Sequence, residues 1–348
     1  MKATFLATLT PMLTLFFCMV IGFVIQKAKL VPENTSKVLA KLETWVMFPA
    51  LSFATMARFF TVETIKSHAT NMIFSTVSLA FAISIAIPLS FLFVRKKCYD
   101  RGVYQYALTF GNTGYVGDPL VLALFGEAIL SYFKIACLPI TIAIYTWGLS
   151  ALVPSSENKL GSQLKKLVNP PIIGLLCGMA VGLLCGAFAG EIAPGSTAYD
   201  TVFPKFIVGT VDILKNCMGP LAMIIAGATI AKYDLLGMFK KKKVYIATAI
   251  RLIVIPVVVL TCIFGIKELA NLIFSLRIDN TPLLFLFFIL AMPLGLNTVV
   301  FPEAYGGDPE TGASMALISH TLCVITIPLM LALFSFVFGE SIPIMVFK

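Results

Sequence analysis

The sequence predicts an all-α polytopic membrane protein with ten transmembrane helices, two of them broken near mid-membrane. Three observations predict this class. Of the 348 residues, 59% are hydrophobic and 12% are charged, which is roughly half the charged share of a soluble domain. Apolar segments long enough to cross a bilayer as helices recur along the whole chain. Two of these segments carry glycine, proline and asparagine together at their centres.

The hydropathy pattern places the ten helices in a single membrane domain that covers residues 1–348. Connections are short, and neither of the longer polar stretches, at 154–169 and 192–206, can hold a second domain. The predicted spans are residues 4–26, 35–57, 69–94, 103–125, 131–153, 170–191, 208–231, 244–265, 281–304 and 313–338.

Basic residues are concentrated in the connections after spans one, three, five and seven, and this asymmetry predicts the orientation. By the positive-inside rule these connections are cytoplasmic, so both termini are predicted to be extracytoplasmic in a plasma or inner membrane. The net charge of +9 follows largely from them, so the expected partner is the lipid bilayer and not nucleic acid. The basic residues concerned are Lys27, Lys29, Lys37, Arg95, Lys96, Lys97, Arg101, Lys159, Lys165, Lys166, Lys232, Lys240, Lys241, Lys242 and Lys243.

Residues that build metal or catalytic centres are scarce. The two histidines, His68 and His320, share no motif, and the eight cysteines form no CxxC pair. A metal site needs clustered ligands, and nucleophilic catalysis needs a nucleophile beside a base. We therefore expect no metal, no cofactor and no enzymatic activity.

The two halves of the chain share features that predict an internal repeat. Pro49 lies within span two and Pro220 within span seven, while spans four and nine are both broken and followed by glycine. Because each half holds five spans, an odd number, the halves must have opposite orientation, which is typical of transporters. We predict a first five-helix repeat at 1–153, a cytoplasmic linker at 154–169 and a second, inverted repeat at 170–348.

The break in span four reads FGNTGYVGDPL at residues 110–120. Three glycines and a proline in so short a stretch oppose a continuous helix. Asp118 and Pro119 resemble the start of a new helix, with Asp118 as the N-cap and Pro119 at the first helical position. In span nine, Pro293 and Gly295 are expected to unwind the helix, and Asn297 or Thr298 to cap its restart.

Two half-helix N-termini that meet at mid-membrane would present free N–H groups and positive dipole ends to an anion. The amides of Asn112 and Asn297 would orient this guest. Two ordinary proline kinks packed against neighbours are the alternative. The role of Asp118 stays open between a protonatable coupling group, the counterion of a cation and a cap reached by water.

Other charged residues within the spans are expected near helix ends. Asp212 and Lys215, three residues apart, can pair on one helix face, whereas Lys41 and Glu43 cannot. Snorkelling to the interface is expected for the basic residues, including Arg251. His320 is a candidate proton relay or a helix-packing residue. One face of span six is predicted to be a scaffold or dimer seam because it carries glycines at Gly174, Gly178, Gly182, Gly186 and Gly190.

Several stretches together resemble the auxin efflux carrier family. They are WVMFPALSF at 45–53, FGNTGYVGDPL at 110–120, GPLAMIIAG at 219–227, AMPLGLNTVVF at 291–301, YGGD at 305–308 and ITIPL at 325–329. The resemblance implies two inverted five-helix repeats, with spans four and nine crossing beside a scaffold of spans one, two, six and seven that often dimerises. The same general architecture occurs in bile-acid symporters and sodium–proton antiporters.

In this family the substrate carboxylate sits at the crossover. By resemblance this implies substrate contacts at Asn112, Thr113, Gly114, Pro293 and Asn297 here. Asp118 departs from the apolar residue usual before the span-four proline. The remaining candidate binding residues at the breaks and in span two are Asp118, Pro119, Thr298 and Pro49.

The expected function is a secondary carrier for a small organic anion, a carboxylate of the auxin or the malate and malonate type, with elevator-like alternating access. One alternative is a carrier in which the breaks bind H⁺ or Na⁺, with Asp118, Asp212 and His320 as coupling candidates. Another is a membrane receptor of the same fold that does not transport.

Overall fold

The computed structural model describes residues 2–95, 99–152, 168–188, 196–233, 237, 240–275, 278, 280–299 and 309–338. This part of the chain is helical, and its β-type pairing is limited to an isolated antiparallel bridge between Gly111 and Leu294. The helices of the first half are α1 (Lys2–Lys27), α2 (Thr35–Leu42), α3 (Phe48–Phe59), α4 (Ile65–Ser90), α5 (Tyr99–Thr109), α6 (Asp118–Ala136), α7 (Leu138–Ala143) and α8 (Leu149–Leu152). The helices of the second half are α9 (Pro170–Phe188), α10 (Ala198–Val202), α11 (Lys205–Ile230), α12 (Lys242–Ala249), α13 (Ile255–Phe274), α14 (Thr281–Ala291) and α15 (Pro309–Phe338).

Helical segments fall within each of the ten predicted span ranges. In the described part, six helices are long and apolar enough to cross a membrane. The chain is therefore a multi-pass helical membrane protein, whereas ten crossings in two inverted repeats stay a prediction. Most of the predicted linker at 154–169, together with Gly190 and residues 301–308, lies outside the described residues.

Short π-helical turns precede three of the helices that begin with proline at their first or second position. The proline ring would clash with the carbonyl four residues earlier, and a wider turn moves that carbonyl away. In each case the N–H before the proline bonds to the carbonyl five residues back, as Phe48 does to Glu43. These turns are Glu43–Met47 before Pro49, Thr113–Gly117 before Pro119 and Ile250–Val254 before Pro256.

The helices form two groups. We name α1, α2, α3, α9 and α11 the scaffold group, in which α1 packs along α11 and α3 along α9. The crossing group consists of α4 to α8 and α12 to α15, and it holds both broken spans. The main contacts between the groups are made by α6 against α3 and by α15 against α1.

The glycine face of α9 packs against α3 of the same chain. A Cβ at Gly174 would lie 2.7 Å from the Pro49 carbonyl oxygen, and one at Gly178 would lie 2.5 Å from the Phe53 carbonyl oxygen. Gly182 is equally close to α3, while Gly186 faces open space. The seam is thus intramolecular, and of the two predicted roles the structure shows the scaffold seam, because α3 covers this face at Gly174, Gly178 and Gly182. A homodimer through other scaffold surfaces stays a prediction.

Candidate functional site

The first break begins where α5 ends at Thr109. Asn112 caps the next turn, because its side-chain oxygen accepts the Tyr115 N–H at 3.1 Å. Helical backbone then runs without interruption through Asp118, whose N–H bonds to the Thr113 carbonyl. The prediction that Asp118 is the N-cap is therefore wrong. The helix restarts six residues earlier, and the amides that Asp118 would cap already have partners inside the turn.

The second break crosses the first and shares backbone hydrogen bonds with it. The chain becomes extended at Met292, after the end of α14. The Asn112 N–H donates to the Pro293 carbonyl at 2.7 Å, and the Leu294 N–H donates to the Ser319 hydroxyl at 3.1 Å. Unpaired backbone groups are costly away from water, so each break stabilises the other.

Arg251 joins the two broken helices from behind the crossing. Its guanidinium donates to the carbonyls of Leu108 and Thr109, at the end of α5, at 3.4 and 3.3 Å. It also donates to the Ile289 carbonyl near the end of α14 at 3.3 Å. The side chain is 1% exposed, so the expectation that it snorkels to the interface is wrong. A cation at two helix C-termini binds orphan carbonyls and offsets both negative dipole ends.

The polar side chains around the crossing hold one another in place. The Asn112 amide nitrogen lies 3.2 Å from His320 Nε2, and His320 Nδ1 lies 2.7 Å from the Ala316 carbonyl. His320 is 2% exposed and acts here as a helix-packing residue that orients Asn112. In the second break, the Asn297 amide donates to the Tyr106 hydroxyl at 3.1 Å, and the Thr298 hydroxyl donates to the Gly295 carbonyl at 2.9 Å.

Asp118 forms a buried ion pair with Lys134, with 2.6 Å between Oδ2 and Nζ. In a straight helix, sixteen residues would separate the two side chains by about 24 Å. They meet because Gly126, with φ of 79°, reverses the chain in one residue. Asp118 precedes this turn by eight residues and Lys134 follows it by eight, so the hairpin brings them level.

The sequence does not by itself identify Lys134 as a site residue, because a fifth span that begins at residue 131 places Lys134 near the membrane surface. The sequence does contain a signal for this ion pair, because Asp118 and Lys134 lie at equal distances before and after Gly126. Lys134 also lies 4.8 Å from the centre of the Phe48 ring. The same ring would lie 3.1 Å from a Cβ at Gly114, so glycine allows this close approach.

A cavity of about 600 Å³ lies between the two helix groups at the crossing. Five of the predicted site residues line it: Asn112, Thr113, Gly114, Asp118 and Asn297. Lining residues that were not predicted include Lys134, Phe48, Tyr115, Cys137, Thr141 and Tyr145.

The other predicted site residues contribute to packing or backbone bonding. Pro49 meets Gly174 of α9, and Pro119 meets Gly219 of α11. Pro293 accepts the Asn112 N–H, and Thr298 is 0% exposed. None of these four residues lines the cavity.

The cavity has a basic end, formed by Ser36, Lys37, Lys41, Asn169 and Lys232. Lys37 and Lys41 are exposed. Phe48 lies level with the first break. Lys41 and Lys37 precede it by seven and eleven residues along one continuous helical path. We name this region the open end.

Ion pairs close the opposite end. Arg58, ten residues beyond Phe48, contacts Glu127 at 3.3 Å, Asp200 at 2.9 Å and Asp212 at 2.9 Å. Lys215 pairs with Glu127 and with Asp212, the latter at 3.0 Å, which confirms the predicted pairing along α11. Lys215 is buried, so the expected snorkelling is wrong for it as well. We name these five residues the sealed end.

The sealed end joins the two helix groups. Glu127 follows the Gly126 turn of the crossing group, whereas Arg58, Asp212 and Lys215 belong to scaffold helices. The Arg58 guanidinium also lies 5.3 Å from the centre of the Tyr199 ring. Tyr199 lies on the short connecting helix α10, where burial raises the pKa of its hydroxyl above the usual value.

Glu43 was expected near a helix end, and the structure places it inside the continuous helical path from Thr35 to Phe59. It is 0% exposed, while Lys41, two residues away, is exposed. The two residues do not face each other, as the spacing predicts.

The chain is similar to known membrane transport proteins. A family model described as "Membrane transport protein" matches residues 7–163 and 159–331. An uncharacterized transporter of Methanocaldococcus jannaschii is 23% identical over 332 residues, which cover 91% of this chain and 96% of that protein. The crossed breaks, the cavity beside them and the match over most of the chain lead to one conclusion: the protein belongs to the membrane transport protein family of auxin efflux carriers.

Proposed function

We propose that the protein is a secondary carrier for a small organic anion whose carboxylate binds between Lys134 and the turn at Thr113–Gly117. The observation that carries this proposal is the convergence of two positive features on one cavity. Lys134 supplies a buried ammonium group, and the turn supplies the first amides of a helix, which have no acceptor within the helix. Together they form an anion site of the kind found at helix N-termini.

The polar side chains at the site have a narrower role than the sequence suggested. Both the oxygen and the nitrogen of the Asn112 amide have partners inside the protein, so Asn112 holds the turn in shape. Thr113 and Gly114 line the cavity, and their amides, together with the Thr113 hydroxyl, are the groups we assign to the carboxylate. Asn297 lies across the cavity from them, on the second break.

The rest of the cavity surface favours an organic body on the anion. Its lining includes Trp45, Phe48, Leu138, Ile144 and Leu175, which offer apolar and aromatic contact. We therefore favour a monocarboxylate with an apolar or aromatic body over a malate-like dicarboxylate. A second carboxylate would need a further buried cation, and Lys134 already shares its charge with Asp118.

Elevator-like movement of the crossing group against the scaffold group would carry this site across the membrane. One observation supports it: the cavity lies between the groups, with the carboxylate-binding turn on one and Phe48 on the other. By the positive-inside rule the open end faces the cytoplasm and both termini lie outside.

Labelled-carboxylate counterflow in proteoliposomes tests the proposal. Lys134→Met should reduce carboxylate binding and counterflow roughly ten- to a hundredfold, because a charge-assisted contact is lost. Asp118→Asn should preserve or tighten anion binding, because it releases Lys134 from its competitor. Equal loss of binding in both variants would contradict the proposal and make the pair purely structural.

A double variant controls for stability. Lys134→Met alone leaves Asp118 buried without its partner, which costs about 3–5 kcal/mol. Adding Asp118→Asn should restore the thermal stability of the detergent-purified protein while leaving anion binding weak. Stabilisation of the wild type by a carboxylate without any flux would favour the receptor alternative.

A further inference from the structure

One buried acid takes no part in the ion pairs described above. Glu43 is 0% exposed, and neither of its carboxyl oxygens has a hydrogen-bond partner among the described residues. The other buried or half-buried acids differ in this respect. Asp118 is paired with Lys134, and Glu127, Asp200 and Asp212 are paired with Arg58.

The elements packed against Glu43 provide no counterion. The π-helical turn at Glu43–Met47 packs on α2, α3, α9 and α11. In α2, Lys37 and Lys41 are exposed, and in α3 the first charged residue is Arg58 of the sealed end. The ionisable residues of α9 are the cysteines Cys177 and Cys185. In α11 the charged residues Lys205, Asp212 and Lys215 precede Cys217, and the stretch from Met218 to Ile230 holds none.

A carboxylate in this position would be an uncompensated charge in a medium of low dielectric constant. Such a charge is far more costly than a neutral carboxylic acid, because nothing replaces its lost hydration. In this conformation the negative charge of the carboxylate must therefore be neutralised by a bound cation, and the smallest such cation is a proton. A transition-metal ion would need several ligands, and no group of three or more His, Cys, Asp or Glu residues occurs in the described part of the chain.

The position of Glu43 connects it to the moving site. The next residue, Thr44, lines the cavity, and its side chain lies beside that of Tyr115. Tyr115 belongs to the carboxylate-binding turn of the crossing group and is the ionisable residue that approaches Glu43 from that group. Sliding of the crossing group along the scaffold would remove Tyr115 from this position and open the carboxyl group to water.

We propose that Glu43 is the proton-binding site that couples anion movement to proton movement. This inference rests on the proposed carrier function. Glu43 holds a proton while the turn at Thr113–Gly117 covers it, and releases the proton to water as a carboxylate when the turn moves away. Neither Asp118 nor Asp212 fits this role as well, because each already has a cationic partner.

The decisive variant is Glu43→Gln, which has nearly the same shape and is permanently neutral. Counterflow exchanges one anion for another and needs no net proton transfer, so the variant should retain it. Accumulation of the carboxylate driven by a pH gradient should be lost, together with the accompanying proton flux reported by a pH-sensitive dye inside the liposomes. A gradient of one pH unit can drive about tenfold accumulation per proton in the wild type. Glu43→Asp, which keeps a carboxyl group, should retain part of it.

Two comparisons make the result specific. Glu33→Gln removes an exposed acid ten residues earlier and should leave pH-driven accumulation unchanged. Accumulation by Glu43→Gln at the wild-type level would overturn the proposal, as would accumulation that depends on Glu43 but follows a sodium gradient at constant pH. Absence of counterflow in the wild type would instead defeat the carrier function itself, so the two failures are distinguishable.

Discussion

The two ends of the cleft between the helix groups contain similar charged residues in opposite arrangements. At the open end, Lys37 and Lys41 are exposed and line a wide cavity. At the sealed end, Arg58 and Lys215 are each at most 8% exposed and are bound by three carboxylates. The exposed lysines of the open end attract anions by long-range electrostatic interaction, whereas the charged residues of the sealed end join helices through direct ion pairs.

This difference indicates which conformation the structure represents. The ion pairs of the sealed end bridge the scaffold and crossing groups, and they depend on Glu127, one residue after the Gly126 turn. The cavity therefore opens towards the basic end. Movement of the crossing group would have to break these pairs, so they set part of the barrier between the two access states.

The largest effect is expected from Arg58→Met, which breaks the sealed end. Three carboxylates lose a partner, and the protein should lose about 2–4 kcal/mol of stability. A cysteine introduced at Thr141 in the cavity, with the native cysteines replaced, should become reactive towards a membrane-impermeant thiol reagent from the sealed side. Arg101→Met removes a cation at the other end and should not change this reactivity. Protection as complete as in the wild type would show that the ion pairs do not close the cleft.

A smaller effect is expected from Glu127→Gln, which weakens the link between the groups without exposing Arg58. Arg58 keeps Asp200 and Asp212, so stability should change little. The population with sealed-side access should rise roughly tenfold, since the interfacial contacts of the Glu127 carboxylate with Arg58 and Lys215 together are worth about 1–2 kcal/mol. Labelling at position 141 again measures it, with Glu63→Gln, an exposed acid at the same end, as the control. A change in stability without a change in labelling would assign Glu127 to folding alone.

The smallest effect is expected at the open end, from the double variant Lys37→Gln and Lys41→Gln. Exposed charges act over distance, so the rate of anion entry should fall roughly threefold at low ionic strength. The difference should vanish near 1 M salt, where the screening length is about 3 Å. Replacing Lys66 and Lys205, exposed at the other end, should not affect entry from the open side. A defect that persists in high salt would mean that Lys37 or Lys41 contacts the anion directly.

Much of the local structure follows from residues close together in the chain. The breaks near 110–112 and 292–296 were predictable because glycine, proline and asparagine change the backbone wherever they occur in an apolar helix. The pairing of Asp212 with Lys215 was predictable because a helix places residues three apart on one face. The residue at which a helix restarts, in contrast, depends on which backbone amides lack a hydrogen-bond partner in the folded protein. The prediction that Asp118 is the N-cap was wrong for this reason.

The buried ionic contacts could not be predicted in this way. Asp118 meets Lys134 only because Gly126 turns the chain in a single residue, where the hydropathy pattern suggested a loop. Arg251 was assigned to the interface because of its distance from the lysine cluster. Its actual partners are carbonyls of Leu108 and Ile289, far apart in the chain, which meet only when the broken spans cross.

The sequence by itself determined a helical membrane transporter with two broken spans, because apolar length and helix-breaking residues act through the local backbone. Only the tertiary structure decided how each charge is compensated. Lys134 is bound to Asp118, Arg58 is enclosed by acids, and Glu43 is left with no partner in the described residues. Electrostatic energy depends on distance in space and on the surrounding dielectric, and both are set by the packing of segments that are remote in the chain.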